Sequence, residues 1–149
     1  MSPREDVILI VEDDPDDRHL LARAFRKAQV QVPLRFANDG DEALLALGNA
    51  SADADKPIWP VVILLDLKLP RRSGFEVLEW IKAHMTLRRV PVVILTSSRE
   101  SQDLERAYDL GANSYLVKPA RSEALLQMVE QIDAYWLRLN EAAPRLLNV

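Results

Sequence analysis

Short apolar runs alternate along the chain with longer stretches in which apolar residues recur every three or four positions. Runs of Val, Ile and Leu bounded by polar residues are typical of strands that are buried on both faces of a parallel sheet. This pattern predicts five strands, at residues 7–11, 33–37, 61–66, 91–95 and 114–117.

The stretches between these runs have the apolar spacing of helices that bury one face. Pro15 and the acids after it mark a helix start, whereas Gly48 and Gly111 mark helix ends. Helices are expected at 15–28, 39–47, after Gly74, at 101–110 and at 122–136, with a surface loop at 49–57. The alternation predicts an α/β fold, a doubly wound five-stranded parallel sheet with five helices on its two faces.

Polar residues that could take part in binding or catalysis follow four of the predicted strands. Glu12 and Asp13 follow the first strand, Asp66 ends the third, and Thr96 and Lys118 follow the fourth and fifth. The carboxyl ends of parallel strands form the edge at which open α/β sheets bind ligands. We therefore expect these side chains to converge on one site.

This set of residues suits phosphorylation of an aspartate. Three carboxylates at one edge repel one another unless a cation offsets their charge. Asp66 would attack phosphorus, while a divalent cation on Asp13 and Asp66 neutralises the developing charge. Lys118 and Thr96 would then bind the phosphoryl oxygens.

Each residue also has a purely structural interpretation. Asp13 and Thr96 could cap helices, Asp66 could sit in a turn, and Lys118 could be an ordinary solvated lysine. All of them would then have reached one edge of the sheet by chance, which makes the structural interpretation improbable for the set.

Four motifs in this order resemble the receiver domain of two-component response regulators, the fold of the chemotaxis regulators. The resemblance spans about residues 7–136 and implies a flavodoxin-like fold. The matching motifs are Val11-Glu12-Asp13-Asp14, Leu65-Asp66-Leu67-Lys68-Leu69-Pro70 with Gly74, Leu95-Thr96-Ser97, and Tyr115-Leu116-Val117-Lys118-Pro119.

The resemblance implies a Mg²⁺ site made by Glu12, Asp13, Asp66 and the main-chain carbonyl of Lys68. Glu12 is a mild departure, because members of the family often have aspartate there, and its longer side chain changes the reach to the metal.

The resemblance also implies a signalling role with defined partners. Asp66 would be the phosphoacceptor for a sensor histidine kinase, and Lys118 would contact the phosphoryl group. Thr96 and Tyr115 would be the switch residues. Output would follow from partner binding or from transfer of the phosphoryl group to a downstream phosphotransfer protein.

Three further features are similar to single-domain regulators that are paired with bacterial phytochromes. They are the Asp16-Asp17 pair, the long loop before the third strand, and Ala134-Tyr135-Trp136-Leu137 at the end of the last helix. This narrower resemblance implies phytochrome-type light signalling and a homodimer with Tyr135 and Trp136 at the contact. The alternative for Trp136 is that it packs on its own sheet.

Composition restricts the remaining classes of function. The chain has 149 residues, 48% of them hydrophobic, a net charge of -4 and no cysteine. We expect one receiver domain at 5–138 with a tail at 139–149, too short for a DNA-binding output domain. Dispersed basic residues predict no nucleic-acid partner, and the lack of a long apolar run or signal sequence predicts a cytoplasmic protein with no membrane contact.

One enzyme class remains as an alternative, the small phosphatases of haloacid-dehalogenase type, which also use an aspartate nucleophile at a strand end. They carry a second acid two residues further on as acid and base. Here that position is Lys68. We therefore expect a switch that is phosphorylated once, not an enzyme with repeated turnover. A receiver that works without phosphorylation is disfavoured by the intact Asp66, Thr96 and Lys118.

Overall fold

A computed structural model of the chain describes residues 5–49 and 58–144. In this part, a five-stranded sheet lies between two layers of helices. The strands are Glu5–Val11 (β1), Leu34–Ala37 (β2), Ile58–Leu65 (β3), Val92–Thr96 (β4) and Ser114–Val117 (β5). The helices are Pro15–Lys27 (α1), Gly40–Asn49 (α2), Gly74–Ala83 (α3), Ser101–Asp109 (α4) and Ser122–Ile132 (α5).

The strands pair in the order β2-β1-β3-β4-β5, and each neighbouring pair is parallel. The chain crosses from β1 to β2 on one side and then returns to β3 on the other, so the direction of winding reverses beside β1. The loops after β1 and β3 diverge at such a reversal and open a crevice at the carboxyl edge. The topology thus places the binding crevice beside Glu12 and Asp66.

Side chains of the central strands alternate between two cores, as the two-residue repeat of a strand requires. One core lies under α2, α3 and α4, and the other lies under α1 and α5. In β3, for example, Ile63 and Leu65 face the first core, whereas Val62 and Leu64 face the second. The predicted doubly wound α/β fold is confirmed.

The start of α1 follows the predicted signals. Asp14 is the N-cap, and its carboxylate accepts the N–H of Asp16 at 2.9 Å. Pro15 opens the helix, where a missing N–H costs nothing. Asp16 and Asp17 in the first turn interact favourably with the helix dipole. These interactions fix the acidic loop between β1 and α1.

Two glycines permit close contact between elements near the crevice. A Cβ atom on Gly74 would lie 2.1 Å from the main-chain oxygen of Asp66. A Cβ atom on Gly40 would lie 2.2 Å from the main-chain oxygen of Arg72. The Gly74 contact lets the start of α3 pack directly on the residue that follows β3.

Some boundaries differ from the sequence-based prediction. Gly48 does not end α2, which continues to Asn49. The strand β3 begins at Ile58, earlier than predicted, because the buried Trp59 pairs with β1 and packs on the core. The last helix does not stay α-helical, since a π-helical segment at Asp133–Leu139 follows α5.

Parts of the predicted loop and tail lie outside the described residues, namely 50–57 and 145–149. Residues 140–144 are described and follow the π-helical segment, and the main-chain oxygen of Pro144 accepts a hydrogen bond from Arg89 at 3.4 Å. No helix in the described ranges combines the length and the apolar character needed to cross a membrane.

Candidate functional site

Three carboxylates meet at the carboxyl edge of the sheet. Glu12 and Asp13 follow β1, and Asp66 follows the neighbouring β3, where its N–H bonds to the main-chain oxygen of Val11 at 3.1 Å. One carboxylate oxygen of each acid lies within 4.8 Å of those of the other two. The structure therefore brings together the three acids that the sequence predicted.

Glu12 is the most deeply buried of the three acids, with 2% of its surface exposed. Its main-chain N–H bonds to Ala37 at the end of β2, and its carboxylate accepts the N–H of Asp14 at 3.1 Å. Burial raises the pKa of Glu12 to about 7, although hydrogen bonds from Lys118 and Asp14 favour the ionised form. Near neutral pH this carboxyl group is therefore shared between its protonated and its ionised form.

Lys118 places a positive charge among these acids. Its main-chain N–H bonds to Thr96 at 2.8 Å, which holds it at the carboxyl end of β5. The ammonium donates to Asp66 at 2.9 Å and also to Glu12. A further carboxylate, that of Asp17 in α1, lies 2.9 Å from the same nitrogen. Burial alone would lower the pKa of Lys118, but the hydrogen bonds to the three carboxylates outweigh it and raise the pKa, so the ammonium stays charged.

Asp17 is a site residue that sequence reasoning missed. From the sequence, the Asp16-Asp17 pair marks a helix start and resembles a feature of a subfamily, but nothing there assigns it to the site. The available signal was its position in the first turn of α1, immediately after the acidic loop. Neighbouring Arg18 donates to the main-chain oxygens of Glu12 at 3.2 Å and Asp13 at 2.9 Å, so the same turn also braces that loop.

Ser98 connects the two predicted switch residues, a role that the sequence does not predict. Its N–H lies 3.5 Å from the hydroxyl oxygen of the fully buried Thr96. Its main-chain oxygen accepts the hydroxyl of Tyr115 at 3.0 Å. Its own hydroxyl donates to Asp103 in α4 at 2.6 Å. One loop residue thus contacts Thr96, Tyr115 and α4, links that only the tertiary structure reveals.

The segment after β3 curves around the Asp66 carboxylate. The N–H of Lys68 lies 3.3 Å from the Oδ1 atom of Asp66, while the Lys68 side chain points to solvent and is exposed. The N–H of Gly74 bonds to the main-chain oxygen of Leu67 at 2.9 Å and closes the loop. The backbone at Lys68 therefore borders the acid cluster, and the role of its carbonyl as a metal ligand stays a prediction.

Tyr135 and Trp136 lie apart from this site, in the π-helical segment after α5. Their rings meet edge to face, with centroids 4.8 Å apart. Tyr135 is 51% exposed, whereas Trp136 is partly buried against the core under α1 and α5. Both side chains line an open groove beside β5 and α5. Trp136 thus packs partly on its own domain, as the alternative interpretation expected, and keeps part of its surface open.

Comparison with known proteins agrees with this geometry. The family model for the response regulator receiver domain matches residues 8–130. A probable methanogenesis regulatory protein, FilR2 of Methanothrix harundinacea, is 41% identical over 138 residues, 91% of this chain and 86% of the relative. The response regulator Rcp1 of Synechocystis is 37% identical over 131 residues, 88% of each chain.

Solved structures agree equally well. The Mn²⁺-bound form of Rcp1 superposes with a TM-score of 0.82 at 35% identity, over 95% of this chain and 100% of the other. The phosphorylated cyanobacterial phytochrome response regulator RcpA gives 0.83 at 35% identity over the same shares. The family match covers most of the sheet and helices described above. The chain therefore belongs to the receiver domains of response regulators.

Proposed function

We propose that this receiver accepts a phosphoryl group on Asp66 from a sensor histidine kinase and thereby changes which partners it binds. The observation that carries this proposal is the placement of Asp66, which is 7% exposed and lies 2.9 Å from the Lys118 ammonium among further carboxylates. A buried carboxylate beside a fixed cation is a nucleophile whose product anion is already stabilised.

A carboxylate oxygen of Asp66 attacks the phosphorus of a phosphohistidine, so that an O–P bond forms and the P–N bond breaks. The electron pair of the broken bond returns to the imidazole nitrogen of the kinase. Lys118 offsets charge on the phosphoryl oxygens, and the Thr96 hydroxyl donates a hydrogen bond to them. The product is an acyl phosphate on Asp66.

A divalent cation fits the acid cluster. Glu12, Asp13 and Asp66 offer the carboxylate oxygens that hard cations prefer, and we propose Mg²⁺, with the main-chain carbonyl of Lys68 as a further ligand. Burial raises the pKa of Glu12, and the charge of Asp66 raises it further, so a cation beside these acids would favour the ionised form of Glu12. A bound cation would stabilise charge on the transferring phosphoryl group.

We further propose that the phosphoryl donor is a phytochrome-type kinase. RcpA, which matches 95% of this chain, is described as a phosphorylated cyanobacterial phytochrome response regulator. Such a kinase would make its phosphohistidine from ATP, so we place the encounter in the cytoplasm. The name of FilR2 points to a different input, and phosphotransfer profiling with a phytochrome kinase distinguishes the two. A downstream phosphotransfer protein is the proposed second acceptor.

The phosphorylation proposal predicts one stable adduct. Incubation with acetyl phosphate and Mg²⁺ should add a single phosphoryl group, read by intact mass, and EDTA should block it because the uncompensated carboxylates repel the donor. Asp66→Asn should remain unmodified, whereas Asp109→Asn on α4 should react like the wild type. An adduct on Asp66→Asn would refute the assignment. Continuous phosphate release over many turnovers would instead support the phosphatase alternative.

The raised pKa of Glu12 predicts that protons compete with the cation. A carboxyl group must be ionised to bind a metal, so Mg²⁺ affinity should fall as the pH drops below about 7 and level off above it. The limiting slope at low pH approaches about tenfold per pH unit. Calorimetric titration from about pH 5.5 to about pH 8 measures it. Glu12→Gln should bind Mg²⁺ more weakly with a flatter pH profile, and equal profiles in both proteins would contradict the prediction.

The Ser98 contacts predict how phosphorylation of Asp66 alters the structure around α4 and β5. If the Thr96 hydroxyl turns to the phosphoryl group, it leaves the N–H of Ser98, and the Tyr115 and Asp103 contacts rearrange with that residue. Hydrogen exchange of residues 98–117 should therefore change on phosphorylation in the wild type and in the control Ser97→Ala. Thr96→Ala should be phosphorylated without that change. An identical response in both variants would exclude this coupling.

We also propose a homodimer through the groove beside β5 and α5. The exposed Tyr135 and the open part of Trp136 supply aromatic surface, which is enriched at the centre of interfaces. A two-fold partner would present the same surface. Sedimentation should show a dimer that Trp136→Ala weakens by at least about tenfold, since an aromatic anchor contributes about 2 kcal/mol. The control Leu45→Ala, an exposed residue on α2, should not weaken it. A monomeric wild type in both phosphorylation states would disprove the dimer.

A further inference from the structure

The Lys118 ammonium has three N–H bonds, and in the described residues three carboxylates accept them. These acceptors are Glu12, Asp66 and Asp17. Glu12 and Asp66 belong to the acid cluster that fits a cation, but Asp17 does not. Asp17 is thus a partner of the lysine that stands outside the proposed phosphorylation and metal chemistry.

Two of these three partners change during the proposed reaction. Asp66 becomes an acyl phosphate, and the carboxylate of Glu12 would bind the proposed cation. The carboxylate of Asp17 remains as it was, 2.9 Å from the lysine nitrogen in the starting state. We propose that Asp17 is a positioning residue that anchors Lys118 beside Asp66 throughout the phosphorylation cycle. This inference rests on the proposed function and identifies a residue that supports it.

The first turn of α1 makes Asp17 a stiff anchor. Pro15 and the N-cap Asp14 fix the start of that helix. Arg18, the next residue after Asp17, donates to the main-chain oxygens of Glu12 and Asp13 and ties the turn to the acidic loop. A carboxylate on this turn therefore keeps a constant distance from the carboxyl ends of the strands.

The Lys118 side chain is flexible, and there is space beside it into which the ammonium could move. Its four-carbon stem loses side-chain entropy when the ammonium is held in one place. A small cavity opens beside Lys118 and Asp17, between α1 and the start of α5, lined also by Leu20, Leu21, Pro119 and Leu125. Without Asp17, one N–H bond would turn to solvent and the stem could swing into this space. The phosphoryl oxygens would then lose a prepositioned cation.

Asp17 also carries a negative charge, which repels an anionic donor regardless of any anchoring. Asp16 allows the two effects to be separated, because it carries the same charge in the same helical turn. Asp16 is exposed and forms no ion pair with Lys118 within the described residues. If the charge acts by general repulsion, both Asp16→Asn and Asp17→Asn should change the half-saturating donor concentration. If Asp17 acts as an anchor, only Asp17→Asn should change the maximal rate.

The test measures Asp66 phosphorylation by acetyl phosphate as a function of donor concentration, with Mg²⁺ saturating for each variant. Asp17→Asn should lower the maximal rate by about tenfold, less than the hundredfold loss that a displaced catalytic group can cause. Asp17→Glu keeps the charge and should stay within about twofold of the wild type. Asp16→Asn should leave the maximal rate unchanged, and Asp17→Ala should lose at least as much as Asp17→Asn.

The outcomes separate this inference from the function it supports. A maximal rate for Asp17→Asn that equals or exceeds that of Asp16→Asn overturns the anchoring role, and so does a Glu variant as slow as the Asn variant. Urea unfolding of every variant excludes a loss caused by misfolding. A wild type that takes no phosphoryl group would instead overturn the proposed function itself.

Discussion

The arrangement of the site depends on one interaction, the contact between the Lys118 ammonium and the carboxylates at the carboxyl edge of the sheet. Glu12 and Asp66 lie side by side because β1 and β3 are parallel neighbours. Lys118 reaches them from β5, across the end of β4, to which its main-chain N–H is bonded at Thr96. Burying so many acids together would be unfavourable without this charge. The sheet order and the charge balance are therefore two parts of one constraint.

The charges of the site are only partly balanced. One ammonium does not offset all of the surrounding carboxylates, and the burial of Glu12 raises its pKa to about 7. A site in this condition favours a divalent cation and, with it, an anionic phosphoryl group.

A second set of contacts connects the crevice with α4 and β5. Ser98 contacts Thr96 through its N–H, Tyr115 through its main-chain oxygen, and α4 through its hydroxyl. The three contacts use different atoms of one residue, so the movement that we propose for Thr96 would displace them together. The start of α3 is fixed more tightly, because Gly74 packs directly on Asp66. The start of α3 thus contacts the site through close backbone packing, whereas α4 and β5 contact it through hydrogen bonds of Ser98.

Sequence patterns alone predict the strands, their alternation with helices, and the acids, hydroxyl and lysine at the strand ends. These features follow from local periodicity and from residue types, both of which can be read from short stretches of the sequence. The contact of Asp17 with Lys118, 101 positions away, and the links of Ser98 to Thr96 and Tyr115 become visible only in the folded chain. The same holds for the partial burial of Trp136 against the core of its own domain and for the exposure of Tyr135. It also holds for the π-helical segment that follows the last α-helix. Such contacts depend on how elements from distant positions approach one another in space, which short-range patterns do not encode.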